Sequence, residues 1–207
     1  MILCDLVIRG GRIVDGSGAP PFVGDVAIKN GKILAVGPRL PVEGTAEIDA
    51  TGHTVTPGFV DIHSHYDGQA TWDPYMTPTS YHGVTTTVFG NCGVGFAPIR
   101  PGHQPWLINL MEGVEDIPGS VLAEGIDWGA WETFPEYMAV LESRPRIMDI
   151  GCQIPHGALR FYVMGDRGAD HHEMPSPEEC AEMKRLVTEG LEAGALGFTT
   201  ARCQPPC

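Results

Sequence analysis

The amino-acid sequence predicts an α/β fold in two parts. A small antiparallel β-sheet is predicted over residues 1–57, and a parallel sheet with intervening helices over residues 58–207. Short apolar runs separated by glycine-containing turns fill the first part, as is typical of antiparallel strands. After residue 58, apolar strands alternate with helical stretches, which indicates a parallel sheet. A chain of 207 residues, 43% of them hydrophobic, can form one sizeable core or one small domain and part of a second.

The elements of the first part are short strands with polar turns between them. Two hairpins are predicted where apolar segments flank a glycine turn, at Gly10-Gly11 and at Asn30-Gly31. The predicted strands are 6–8, 12–14, 26–28, 33–36, 47–49 and 54–56.

The second part begins at a Pro-Gly breaker and contains four predicted strands, each followed by helical or mixed sequence. The strands are 58–65, 84–89, 147–152 and 195–200, and the helical stretches are 78–82, 103–112, 131–143 and 177–193. The last helix has the clearest signals, because Ser176 is a natural N-cap, Pro177 suits the first helical position, Glu179 completes a capping box and Gly194 ends the apolar stripe. Residues 90–130 form a long segment rich in glycine and proline, of the kind that surrounds ligand sites at strand C-termini.

Composition excludes several classes of partner and location. The formal net charge is −13 and no Lys/Arg cluster is present, which argues against nucleic acid and anionic membrane surfaces. No apolar run approaches the roughly 20 residues of a membrane span. The first residues lack a basic leader followed by an apolar region, so we expect no signal peptide and a cytoplasmic protein. The six cysteines are scattered, which favours reduced thiols, and Cys152 and Cys180 are predicted to be core residues.

Residues 57–68 are the most informative run, and they read Pro-Gly-Phe-Val-Asp-Ile-His-Ser-His-Tyr-Asp-Gly. Side chains on a strand alternate faces, so Asp61, His63 and His65 are predicted to project from one face. Two imidazoles on one face at the end of a buried strand form a chelating pair for zinc. The alternative is a polar strand end whose histidines alternate by chance. Asp61 could orient a metal-bound imidazole or could simply be satisfied by backbone groups.

Cys92 follows the second strand of this part after a Gly-Asn turn. Because functional groups in parallel α/β barrels cluster at strand C-termini, its sulfur is predicted to face the same end as His63 and His65. Thiolate and imidazole ligands together suit zinc. A buried, inert cysteine is the alternative.

The remaining polar residues carry weaker signals. His156 could line a substrate pocket or pack within a loop, and Arg160 could anchor a carboxylate or form a structural salt bridge. His82 is predicted to end a helix, where the helix dipole favours it. His171 and His172 are predicted to be solvent-exposed. The acidic residues of the 112–116 segment suggest a paired-carboxylate site, although a solvated turn is preferred; they are Glu112, Glu115 and Asp116.

Several of these motifs resemble a known family. Residues 57–65 resemble the first barrel strand of the amidohydrolase superfamily, and the run His-Ser-His-Tyr-Asp-Gly-Gln at 63–69 resembles its N-acyl-D-amino-acid deacylase (D-aminoacylase) branch. The run Asn-Cys-Gly-Val-Gly-Phe-Ala-Pro at 91–98 resembles the same branch and is more discriminating. Residues 111–119, 156–160 and 194–200 add to the resemblance, which extends from about residue 5 to residue 202.

The resemblance implies a fold and a reaction. The expected fold is the N-terminal half of a metal-dependent (β/α)8 TIM-type barrel, about four βα units, preceded by part of a β-sandwich. The expected reaction is zinc-dependent hydrolysis of the amide bond of small-molecule N-acyl-D-amino acids, giving a carboxylate and a D-amino acid. In this branch a cysteine, here Cys92, takes the metal-bridging role that many amidohydrolases give to a carboxylated lysine on the fourth strand, and residues 195–200 contain no lysine.

The resemblance also indicates what the chain lacks. The general base would be an aspartate of the eighth strand, and further histidine ligands would come from the fifth and sixth strands, so no catalytic base is assigned. The chain is therefore expected to be a fragment that binds zinc weakly and does not turn over substrate alone. The alternatives are another amidohydrolase acting on cyclic amides, of the dihydroorotase or hydantoinase type, and an inactive fragment.

Overall fold

The computed structural model describes residues 2–115, 117–170 and 172–201, without the side chain of residue 115. The chain forms two compact units, Met1–Gly58 and Phe59–Cys207. The division lies next to the start of the run that carries His63 and His65.

The first unit is one mixed sheet. Its strands are β1 (Ile2–Ile13), β2 (Phe22–Lys29), β3 (Lys32–Gly37), β4 (Val42–Asp49) and β5 (Thr54–Val55). The strand order is β3-β2-β1-β4, with β5 also beside β1. The β1/β2 and β2/β3 pairs are antiparallel, whereas β4 and β5 both run parallel to β1. The prediction of a wholly antiparallel sheet is therefore wrong.

The hairpin predicted at Gly10-Gly11 does not form. β1 continues through this pair as one strand of 12 residues, and its register against β2 shifts between Ile8 and Gly11. The pair thus makes a β-bulge, with Gly10 at a φ of 65° and its amide donating to Asp25 Oδ1 at 3.0 Å. The second predicted hairpin is confirmed, because Asn30 and Gly31 both have positive φ, at 52° and 69°, between antiparallel β2 and β3.

The second unit contains two sets of parallel strands. They are β6 (Phe59–Asp61), β7 (Val84–Phe89) and β8 (Asp149–Cys152), which pair in that order, and β9 (Ile154–Pro155) with β10 (Phe198–Thr199). Parallel pairing at all four predicted strand positions is confirmed. Residues 195–200 approach the end of β8, because the Leu196 amide donates to the Cys152 carbonyl at 2.8 Å.

β6 is shorter and more exposed than predicted. It ends at Asp61 instead of residue 65. Val60 and Ile62, expected on a buried apolar face, are 59% and 73% exposed. The reason is that β6 pairs only with β7 within the described part of the chain, which makes it an edge strand there.

Six α-helices accompany these strands in the described residues. They are α1 (Gln104–Glu115), α2 (Gly119–Gly125), α3 (Phe134–Ser143), α4 (His156–Met164), α5 (Asp166–Ala169) and α6 (Pro177–Glu192). Short 3-10 helices lie at Gln69–Thr71, Thr79–His82 and Asn91–Gly93. The capping box of α6 between Ser176 and Glu179 is confirmed, and a second one, between Thr133 and Glu136, starts α3 later than predicted. The helices α2, α4 and α5 were not predicted from the sequence.

The core of this unit lies between its sheets and helices. Its largest fully buried side chains include Tyr137, Phe89 and Phe96. Cys152 is buried as predicted, but Cys180 is exposed and that prediction is wrong. On α6 the buried residues are Leu186 and Gly190, and Cys180 precedes them by six and ten positions, which turns it about 120° and about 80° away from them around the helix. Among the described residues, no helix combines the length and apolarity needed to cross a bilayer.

Candidate metal centre

The three predicted ligands converge. One donor atom from each of His63, His65 and Cys92 can be chosen so that all three lie within 4.8 Å of one another. His63 Nε2 lies 3.1 Å from Cys92 Sγ, and the two imidazole centroids are 5.7 Å apart. Convergence just beyond the C-terminal ends of β6 and β7 is thus confirmed, whereas metal ligation stays a prediction.

The histidine segment keeps strand-like alternation although it lies outside β6. The Ser64 amide and Ser64 Oγ both donate to the Val88 carbonyl at 3.0 Å, and Ser64 Oγ also lies 2.8 Å from Thr87 Oγ1. Ser64 is 8% exposed, so its side chain points into the unit, while exposed His63 and half-buried His65 flank it. Hydrogen bonds to β7 therefore direct both imidazoles.

Asn91 joins the histidine segment to the cysteine turn. Its Nδ2 donates to the Ser64 carbonyl at 3.2 Å and to the Val88 carbonyl at 2.9 Å. Gln153 Nε2 donates to Asn91 Oδ1 at 2.8 Å, which fixes the orientation of the amide. Asn91 is only 6% exposed, so these bonds are shielded from competing water.

The cysteine turn has an unusual backbone. Gly90, Cys92 and Gly93 have φ values of 78°, 55° and 75°. A Cβ at position 90 would overlap with the carbonyl of Gln153, so glycine is required there for space as well as for φ. Cys92 has a side chain in the left-handed region, which costs about 1–3 kcal/mol and persists only where the surroundings impose it.

The donor set fits zinc. Zinc prefers Zn–S distances of about 2.3 Å and Zn–N distances of about 2.0–2.1 Å, so neighbouring donors of a tetrahedral site lie about 3.3–3.6 Å apart. His63 Nε2 lies 3.1 Å from Cys92 Sγ, and all three donor atoms lie within 4.8 Å of one another. Small side-chain movements would therefore bring the donors to the separations of a tetrahedral zinc site. Three protein ligands would leave a position open, as in catalytic zinc sites.

Comparison with known proteins identifies the family. The profile described as "Amidohydrolase family" matches residues 46–206, which is most of the chain. This chain belongs to the amidohydrolase family. It is 33% identical over 202 residues to the N-acyl-D-aspartate deacylase of Alcaligenes xylosoxydans xylosoxydans, with 98% of this chain and 37% of that protein covered. It is 32% identical to a D-aminoacylase of the same organism, covering 98% and 38%.

Solved structures agree with this assignment. A D-aminoacylase structure concerned with a binuclear metal centre superposes with a TM-score of 0.81 at 32% identity, covering 98% of this chain and 40% of that one. An N-acyl-D-glutamate deacylase from Bordetella bronchiseptica, complexed with zinc and a phosphonate inhibitor, gives a TM-score of 0.78 at 30% identity, covering 98% and 39%. The chain thus spans about two fifths of the length of these relatives.

Asp61 of the amidohydrolase chain contacts the backbone of the first histidine. Its Oδ1 accepts a hydrogen bond from the His63 amide at 3.0 Å. This is the backbone interaction that the sequence left open as one of two alternatives. The carboxylate therefore shapes the main chain at the point where β6 ends.

His156 begins α4 near the cysteine turn. Its Nδ1 lies 3.1 Å from Thr200 Oγ1, and its ring meets Phe198 edge-on at 5.7 Å. A Cβ on the next residue, Gly157, would lie 2.8 Å from the Gly93 carbonyl, so the start of α4 is adjacent to the turn. Burial, with a smaller effect from the Arg160 charge, lowers the pKa of His156, which favours neutral imidazole at pH 7.

Arg160 contacts backbone carbonyls. Its Nε donates to the Gly168 carbonyl at 3.1 Å, and its Nη2 donates to the carbonyls of Asp170 at 2.9 Å and of Glu173. These contacts tie α4 to α5 and to the loop that follows it.

The other polar candidates lie apart from the three converging ligands. His82 is exposed at the end of a 3-10 helix, and His172 is exposed as predicted. Glu112 Oε1 accepts from the Gly119 amide at 3.1 Å and so links α1 to α2, which matches the preferred turn interpretation. Asp116, His171 and the Glu115 side chain lie outside the described residues.

Several residues that hold the site together were not predicted from the sequence. The sequence alone assigns no role to Ser64, Asn91 or Gln153. No local signal marks them, since each acts through contacts with another strand.

Proposed function

We propose that this chain carries the metal-binding part of a zinc-dependent amidohydrolase that hydrolyses N-acyl-D-amino acids to a carboxylate and a D-amino acid. The observation that carries the proposal is the convergence of His63, His65 and Cys92 within 4.8 Å. The chain surrounding this cluster aligns over 98% of its length with proteins named for deacylation of N-acyl-D-amino acids.

The chain's residues would perform distinct tasks at this site. His63, His65 and Cys92 would hold zinc, with the thiolate offsetting part of its charge. Zinc bound there would supply a Lewis acid that polarises the amide carbonyl and activates water. Ser64 and Asn91 would keep the ligand-bearing segments at a fixed separation, through the bonds from Ser64 and Asn91 to Val88 and from Asn91 to Ser64.

The substrate class follows from the relatives and from residues near the ligands. The names of the relatives share an N-acyl-D-amino acid, with aspartate and glutamate as two of the side chains. We place His156 in the substrate-binding region, because α4 starts against the cysteine turn and the half-buried imidazole can offer a hydrogen bond. Arg160 would contribute to this region by anchoring the loop beside α4.

The proposal extends to the architecture. Residues 58–207 would form about four βα units of a (β/α)8 barrel, and residues 1–57 part of a β-sandwich. The barrel assignment is supported by parallel pairing in both strand sets of the second unit and by the TM-score of 0.81 with a D-aminoacylase.

The test is hydrolysis by the natural protein that contains this sequence. Purified and zinc-loaded, it should release free D-amino acids from N-acetyl-D-amino acids and leave the L-enantiomers intact. His63→Ala and Cys92→Ser should each lower kcat/KM at least about 100-fold, because each removes a zinc ligand. His82→Ala and Cys180→Ser are matched controls, since both residues are exposed outside the cluster, and they should retain parental activity. Absence of hydrolysis of the D-substrates, or ligand variants as active as the controls, would contradict the proposal.

A further inference from the structure

The hydroxyl of Thr199 contacts both ends of the turn that carries Cys92. Thr199 Oγ1 donates to the Gly90 carbonyl, and the Gly93 amide donates to Thr199 Oγ1 at 3.2 Å. One hydroxyl thus acts as donor and acceptor across a turn that precedes it by more than 100 residues.

The register of β10 explains why this residue makes the contact. β10 pairs with β9 so that Phe198 is opposite Ile154 and Thr199 opposite Pro155. Successive side chains on a strand point to opposite faces. Phe198 accordingly meets the His156 ring, while Thr199 points at the cysteine turn. The hydroxyl of the next residue, Thr200, lies within hydrogen-bond distance of His156 Nδ1 instead.

The turn depends on outside support. Gly90, Cys92 and Gly93 all have positive φ, and Cys92 is the member with a side chain. Such conformations persist where neighbouring groups impose them. Asn91 provides one set of contacts through its side chain, whereas Thr199 joins the backbone on either side of Cys92.

We infer that Thr199 is a positioning residue for Cys92, whose hydroxyl closes the turn and holds the sulfur beside His63 before metal binds. The inference rests on the proposed function only in taking Cys92 as a metal ligand. Loss of the hydroxyl leaves the Gly90 carbonyl and the Gly93 amide without their contacts to Thr199, and the turn can then open.

Two measurements on the natural protein test this inference. The first is alkylation of the metal-free protein by a neutral thiol reagent, followed by mass spectrometry on the peptide that carries Cys92, with exposed Cys180 as the internal reference. Thr199→Val should raise the Cys92 rate about tenfold, since a turn held by two fewer hydrogen bonds opens more often. The second is zinc affinity by competition with a chelator, which should fall about 10–100-fold in the same variant.

Matched variants separate positioning from general stability. Thr199→Ser keeps the hydroxyl and should stay within about threefold of the parent in both measurements. Thr200→Val removes the neighbouring hydroxyl, which contacts His156 and not the turn, and should change neither by more than about twofold. Thr199→Ala repeats the test without the extra methyl groups of valine.

The outcomes are distinct. Parental Cys92 reactivity and zinc affinity in Thr199→Val would overturn the inference, and so would failure of Thr199→Ser to restore them. Loss of the folded unit in both the valine and alanine variants would also overturn it, because Thr199 would then be a general stability residue. If Cys92→Ser and His63→Ala bind zinc like the parent, the metal centre itself is wrong, and the alkylation result still decides the role of Thr199.

Discussion

Replacing Asn91 by alanine should destabilise the second unit and weaken the metal centre together. Its amide links the Ser64 carbonyl, between the two histidines, to the backbone just before Cys92. The same side chain also accepts a hydrogen bond from the Gln153 side-chain amide, so it joins the histidine segment, the end of β7 and Gln153.

The expected loss follows from three hydrogen bonds. The two bonds donated by Nδ2 and the one accepted by Oδ1 disappear. The Val88 carbonyl keeps the Ser64 amide and hydroxyl as donors, so it remains satisfied. The Ser64 carbonyl and the Gln153 side-chain amide lose a partner in a site where Asn91 is 6% exposed. At about 1 kcal/mol per net bond, and more for a group left unsatisfied, the free energy of unfolding should fall by about 2–4 kcal/mol.

Urea unfolding followed by tryptophan fluorescence measures this loss. All four tryptophans, Trp72, Trp106, Trp128 and Trp131, lie in the second unit, so the signal reports that unit. Asn109→Ala is the matched control, because Asn109 is exposed on α1 and its replacement should change the free energy by no more than about 0.5 kcal/mol. A loss below about 1 kcal/mol for Asn91→Ala, or equal losses for both variants, would refute the reasoning.

Three further results are expected from the same unit. Burial tends to raise the pKa of Asp73, but hydrogen bonds from Thr77, Gln69 and Tyr75 outweigh it and lower the pKa from 3.8 to about 2. The ionised carboxylate should therefore add up to ~2 kcal/mol to the free energy of unfolding above about pH 4, and this contribution should be lost as the pH falls towards 2. Asp73→Asn should flatten that part of a stability-versus-pH curve measured by urea unfolding. Ser176→Ala removes the N-cap of α6 and should lower the urea-derived free energy by about 1 kcal/mol, and an unchanged midpoint would show that the cap contributes nothing. In native protein, mass spectrometry should find exposed Cys180 alkylated well before Cys152, whose pKa burial raises well above its ordinary value, and the reverse order would contradict the burial assignments.

Local sequence patterns predicted those parts of the fold that local forces determine. The capping box at Ser176 and the Asn30-Gly31 hairpin need only neighbouring residues, and both form. The hairpin prediction at Gly10-Gly11 was wrong because a glycine pair suits a bulge as well as a turn, and the partner strand decides between them. The prediction that Cys180 is buried was wrong because the width of the buried stripe on α6 depends on what the helix packs against.

At the candidate site, too, features set by neighbouring residues were predicted and features set by distant partners were not. Alternation along one segment was enough to predict that His63 and His65 project together, and the order of strands placed Cys92 near them. Asn91, Gln153 and Thr199 could not be assigned roles, because each has a hydrogen-bond partner 27 or more residues away that strand register sets. Residues that hold ligands through long-range hydrogen bonds carry no pattern of their own.

The most direct test of the central claim is zinc K-edge X-ray absorption of the zinc-loaded natural protein. We predict one sulfur at about 2.3 Å together with nitrogen or oxygen ligands at about 2.0–2.1 Å, with imidazole scattering present. The sulfur contribution should vanish in Cys92→Ser and persist in Cys180→Ser. A spectrum without sulfur in the parent protein, or a sulfur contribution that survives Cys92→Ser, would contradict the metal centre built from His63, His65 and Cys92.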